Sequence, residues 1–128
     1  MTVFYGERGL PVATIENDRL FLASGEPHGF LKDGFIFSIQ DNFVANGMGY
    51  KYNPGDCFSS LVNGVIYNND GKALAFCIDC QDGSPTPGPT GRETIPEDIT
   101  KGRDIRELPF AERPAFFLEK LAPIARHF

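Results

Sequence analysis

Along residues 1–82 apolar and polar positions exchange every few residues, and turn-forming pairs cut the apolar stretches into short lengths. Those pairs are Asp33-Gly34, Asn46-Gly47, Asn63-Gly64, Asp70-Gly71 and Asp82-Gly83. Asn and Asp tolerate a positive φ and Gly adopts one freely, which is what tight hairpin turns require. Pairs at this spacing predict short antiparallel strands forming a meander, a sandwich or a small barrel. The first hairpin runs from Val12-Ala13-Thr14-Ile15-Glu16 through Asn17-Asp18 to Arg19-Leu20-Phe21-Leu22. Gly34 to Ile39 suits a strand buried on at least one face. Gly49-Tyr50-Lys51-Tyr52 alternates, so both tyrosines share a face. Pro54-Gly55-Asp56 turns the chain into a strand from Cys57 to Leu61. A second hairpin pairs Gly64-Val65-Ile66-Tyr67 with Lys72 to Ile78 around Asn68-Asn69-Asp70-Gly71, and its apolar content on both faces predicts a central position.

The character changes at Gly83-Ser84-Pro85-Thr86-Pro87-Gly88-Pro89-Thr90-Gly91. Its prolines lack amide donors and fix φ, which rules out helix and interior strand and favours an extended, polyproline-like course. The segment is a linker or a strap across the surface. Beyond it, Phe117, Leu121, Ile124 and Phe128 recur at helical intervals, which predicts a helix over Ala115 to Leu121. Pro114 suits its first position, and Pro123 kinks or ends it. A Phe-rich helix needs an apolar surface to cover. The chain therefore reads as one α+β, mainly β domain over residues 1–128. It comprises a β-rich body (1–82), a proline-rich strap (83–98) and a helical tail (99–128) packing on that body.

Composition adjusts this picture little. The chain has 128 residues, 41% hydrophobic and 23% charged, with 12 Phe, which describes a globular chain. The net charge is −5, and the acidic excess lies in residues 1–82. An acidic surface repels phosphate backbones and excludes an ordinary nucleic-acid reader. No apolar run approaches the ~20 residues of a membrane-spanning helix, and the N-terminus lacks the pattern of a signal peptide. These features read as a cytoplasmic protein, or one exported by a signal-free route, away from membranes.

The one textual motif is Cys77-Ile78-Asp79-Cys80. Such a pair forms half a zinc site or a redox couple when both sulfurs converge. On a continuous strand, residues three apart face opposite ways, and neither Gly nor Pro separates these two to favour a turn. Cys57, His28 and His127 are the remaining soft ligands. Regular pairing holds Cys57 too far from Cys80 for a disulfide. Asp56 to Val62 resembles the nucleophile segment of cysteine peptidases, a chemistry that would require His28 or His127 beside Cys57. Tyr52-Asn53-Pro54-Gly55-Asp56 is similar to the strand–PGD form of cupin-like jelly rolls, without the histidine cluster of their metal sites. Asn68 to Gly71 lacks the acids of a calcium loop and reads as a turn.

The chain carries no phosphate-binding loop and no nucleophile elbow. The sequence thus points away from catalysis and toward a non-catalytic protein-binding or assembly module that uses no cofactor. Its partner would be another protein, or a second copy met through the C-terminal helix, with Phe43, Tyr50 and Tyr52 as contact set. The alternative is a small-ligand or metal-binding barrel, with or without enzymatic activity, built on Cys57, Cys77 and Cys80.

Overall fold

The computed structural model describes residues 1–41, 43–44, 51–100, 102 and 108–121. Ten strands follow in order: β1 (Thr2–Tyr5), β2 (Pro11–Glu16), β3 (Arg19–Leu22), β4 (Pro27–Lys32), β5 (Phe35–Ser38), β6 (Phe43–Val44), β7 (Lys51–Tyr52), β8 (Cys57–Val62), β9 (Val65–Asn68) and β10 (Ala73–Phe76). Eight of them close into an antiparallel barrel, β1-β2-β3-β4-β5-β8-β9-β10 and back to β1 through Tyr5 opposite Phe76. β6 and β7 form a separate two-stranded excursion between β5 and β8. Each barrel strand neighbours the next one in sequence. This is up-and-down connectivity and not the Greek key of a jelly roll, so the likeness of Tyr52–Asp56 to cupin-like strands goes no further than a turn.

Three hairpins close at the same end of the barrel through pairs with positive φ at both residues. These are Asn17 (52°) with Asp18 (60°), Asp33 (54°) with Gly34 (83°), and Asn63 (51°) with Gly64 (78°). Mirror-image turns of this kind match the right-handed twist of the strands. At Asn68–Gly71 the Asn68 Oδ1 accepts the N–H groups of Asp70 (3.0 Å) and Lys72 (2.9 Å), folding a slightly longer turn. Asp82-Gly83 departs from expectation. It opens the strap in extended form, because the chain has already turned at residues 77–80. Asn46-Gly47 lies outside the described residues.

The barrel wall contains four register shifts, and each leaves one residue extra: Val12 in β2, His28 in β4, Phe58 in β8 and Leu74 in β10. A bulge breaks the alternation of faces and re-aims a side chain. Here the bulged residues turn inward. Phe58 and Leu74 join the interior cluster of Phe4, Ala13, Ile15, Leu20, Ile36, Ile66 and Ala75, and Val12 packs against it. The His28 ring meets Phe58 edge-on at 5.4 Å. Gly29 leaves room for that ring, since a Cβ there would lie 3.3 Å from Phe58 and 2.5 Å from the Phe37 carbonyl oxygen. An eight-stranded barrel has an interior that side chains can fill, and these fill it.

The outer wall is also apolar in two places, and the C-terminal third covers both. Ile95 of the strap and Ile99 just beyond it pack on Phe30, Phe37 and Cys57. Polar pins hold this course: Glu93 N–H donates to the Gly55 carbonyl (2.9 Å), Lys32 pairs with Glu93 (2.8 Å), Arg92 with Asp56 (3.0 Å) and Arg19 with Asp98 (2.9 Å). The proline-rich segment is therefore a strap on its own barrel. On the other side Phe117 is fully buried among Tyr5, Val65, Tyr67, Ala73 and Phe76, its ring 4.9 Å from that of Phe76. It belongs to the one α-helix among the described residues, α1 (Ala115–Glu119), which is shorter than the periodicity predicts. Pro114 is its N-cap and not its first helical residue. Leu121 bridges to Ala73, and Pro123, Ile124 and Phe128 lie outside the described residues. Lys120 ties the helix to the strap through Asp82 and the Gly83 carbonyl.

Candidate functional site

The aromatic contact set falls on the β6–β7 excursion at the barrel end opposite the three tight turns. Phe43 and Tyr52 are backbone partners there, while Tyr50 lies outside the described residues. Tyr52 is half-buried, and its ring lies 6.1 Å from Phe58. Its hydroxyl accepts a hydrogen bond from Asn69 Nδ2 (3.4 Å), which also donates to the Cys57 carbonyl (3.1 Å). Tyr52 thus seals the end of the interior where Ser38, Ser59 and Asn68 add polar side chains to the wall.

Cys57 is buried on the outer wall, and its thiol lies 3.4 Å from the Ser59 carbonyl oxygen. The strap passes directly above it, where a Cβ on Gly88 would collide with the Cys57 sulfur. Burial pushes this thiol's pKa up. His28 packs inside the wall and Cys57 outside it, so the two form no nucleophile–base pair; His127 lies outside the described residues. Burial lowers the His28 pKa from 6.5 to about 4, leaving a neutral ring.

The geometry overturns the sequence expectation at the C-x-x-C motif. β10 stops at Phe76 rather than Ile78. Cys77 N–H still donates to the Gly64 carbonyl (2.9 Å), then the chain turns, and Cys80 N–H donates back to the Cys77 carbonyl (3.2 Å). Gln81 N–H resumes pairing with the Asn63 carbonyl (2.8 Å). The turn forms without Gly or Pro between the cysteines because these two bonds to the Asn63-Gly64 hairpin hold both of its ends. Both cysteines are half-buried thiols, separate from Cys57. Among the described residues no three His, Cys, Asp or Glu side chains converge as metal ligands.

The same turn throws Ile78 outward, 74% exposed. Across from it runs an extended segment bracketed by Pro109 and Pro114. It is anchored by Ala111 N–H to the Gly9 carbonyl (3.0 Å), in an approach that a side chain on Gly9 would block. Anchoring Ala111 leaves Phe110 facing out, 75% exposed. Between Ile78 and Phe110 lies a groove of about 530 Å³, with Tyr5 and Cys80 in its lining. The sequence pattern puts Ile78 in a strand and does not mark Phe110. The available signal was Phe110 itself, a large apolar residue in step with Phe117 but cut off from the helix between Pro109 and Pro114. Two smaller grooves, of about 400 and 330 Å³, flank the strap at Pro87–Pro89. No helix among the described residues is long and apolar enough to cross a membrane.

No family model, curated protein or solved structure matches this chain.

Proposed function

We propose that the protein is a non-catalytic protein-binding or assembly module of the cytoplasm, and that its contact surface centres on the groove between Ile78 and Phe110. The observation that carries this reading is the exposure of both side chains by about three quarters, side by side, on a barrel that buries its other aromatic clusters under its own strap and helix. Contiguous exposed apolar surface rimmed by charge, here Glu112 and Arg113, is the usual mark of a protein contact. Three cysteines, too few and of the wrong parity for a disulfide framework, accord with a reducing compartment. A ligand-holding barrel is the weaker reading, because side chains occupy the interior and the grooves lie outside it.

The test is comparative affinity capture with wild-type protein and an Ile78→Ser/Phe110→Ser double variant, scored by quantitative mass spectrometry. Both residues are exposed, so thermal denaturation should show the variant folded as the wild type is. A specific protein retained by the wild type and lost from the variant supports the reading. Identical captured sets, or turnover of a small substrate by the purified protein, would reject it.

A further inference from the structure

We propose that Cys77 and Cys80 form a thiol–disulfide exchange site, with small-molecule disulfides of the glutathione class as its co-substrate, closing reversibly into a ring around Ile78-Asp79. The inference goes beyond the binding role and does not depend on it.

Three observations carry it. The Cys80 N–H to Cys77 carbonyl bond (3.2 Å) defines a tight turn, and the ends of such a turn lie within about 7 Å, the range that a disulfide spans. Secondly, the two side chains lie over the same backbone atom. A Cβ built on Gly64 would sit 2.6 Å from the Cys77 sulfur and 3.2 Å from the Cys80 Cβ. Two atoms that close to one point are neighbours, so the Cys77 sulfur and the Cys80 Cβ lie on the same side of the turn, not on opposite faces of a strand. Thirdly, the two half-buried cysteines border different surroundings. Cys80 lines the open groove, whereas Cys77 packs against the interior cluster.

The Cys80 thiolate attacks one sulfur of glutathione disulfide, whose S–S bond breaks; one glutathione leaves as thiolate and takes up the proton that Cys80 gave up. The adduct extends into the adjacent groove. The Cys77 thiolate then attacks the Cys80 sulfur, the Cys77–Cys80 bond forms, and the second glutathione leaves and is protonated. Two electrons pass from the cysteines to the small disulfide, and two thiol protons end on two glutathiones. Burial, with the neighbouring Cys77 adding to it, holds the Cys80 pKa above that of an ordinary thiol. The reaction is therefore slow at neutral pH and accelerates as pH rises, unlike that of an oxidoreductase with an activated thiolate.

The experiment equilibrates the reduced full chain with glutathione and glutathione disulfide, quenches with acid, alkylates with N-ethylmaleimide and reads intact and peptide masses. The expected product carries a Cys77–Cys80 link and a single N-ethylmaleimide, on Cys57, where the fully reduced chain carries three. Cys77→Ser should stop at a stable glutathione adduct on Cys80. The folded wild type should also reach the linked form at a several-fold lower disulfide-to-thiol ratio than the same chain in urea, because the turn is preformed. Accumulation of a glutathione adduct on wild-type protein, a link involving Cys57, or equal ratios in the folded and unfolded chains would overturn the proposal.

Discussion

Replacing Phe117 by Ala tests the docking of the C-terminal helix more directly than any other change. Phe117 is fully buried, and its ring packs on Phe76, Tyr5 and Tyr67 from a helix of only five residues. So short a helix has negligible stability of its own, and this one side chain is the main apolar hold on the barrel wall. Truncating a buried Phe costs about 3–5 kcal/mol, the lost edge-to-face contact included. With about 4 °C per kcal/mol for a chain of this length, the melting temperature should fall by about 12–20 °C. Leu118, one position along and 48% exposed, provides the control. Leu118→Ala should cost at most about 0.5 kcal/mol. Urea titration and thermal melts of the three proteins, repeated over a wide range of concentration, give the answer. A Phe117→Ala cost near that of Leu118→Ala would refute the docked position. So would a wild-type melting temperature that rises with protein concentration while that of the variant does not, for then a second subunit would supply the surface.

Other consequences can be checked in the same assays. His28 titrates near pH 4 in the folded chain against 6.5 in the unfolded one. Between those values the unfolded state binds the extra proton, so stability is full above pH 6.5 and falls as pH drops toward 4, by about 3 kcal/mol in all. Urea midpoints at pH 7 and pH 5 should separate for wild type and converge for His28→Gln; an unchanged separation in the variant would assign the effect elsewhere. Gly88→Val must lift the strap from Cys57, so Cys57, the slowest thiol toward a disulfide reagent in the wild type, should react markedly faster. An unchanged rate would mean that the strap does not guard it. Ser59 is fully buried, with no hydrogen-bond partner for its hydroxyl among the described residues. Ser59→Ala should therefore be neutral or stabilise by up to about 1 kcal/mol, and a loss of more than that would reveal a bond its hydroxyl makes.

Local chemistry in the sequence determined much of the barrel. Asn17-Asp18, Asp33-Gly34 and Asn63-Gly64 accept a positive φ that other residues resist, so each places a tight hairpin whatever surrounds it. The prolines from 85 to 89 likewise exclude regular structure in the strap without reference to anything distant. Pro27 and the flanking His28-Gly29 obscured β4, since a proline at the head of a strand gives no alternation to read.

Tertiary structure decided the rest, because those outcomes depend on what lies opposite. The bulges at Val12, His28, Phe58 and Leu74 reverse the face of single residues, and a bulge is set by closing the wall around a filled interior rather than by the residue that bulges. The Cys77–Cys80 turn exists because the Asn63-Gly64 hairpin holds its two ends, a partner that the four residues do not announce. Phe117 and Phe110 are the same residue type seven positions apart. One is buried against Phe76 and the other faces solvent because Ala111 is tethered to Gly9 on a strand connection a hundred residues away in sequence. Conformational preference belongs to the residue and its near neighbours, so it can be read along the chain. Burial belongs to pairs of surfaces, and only the folded chain brings those together.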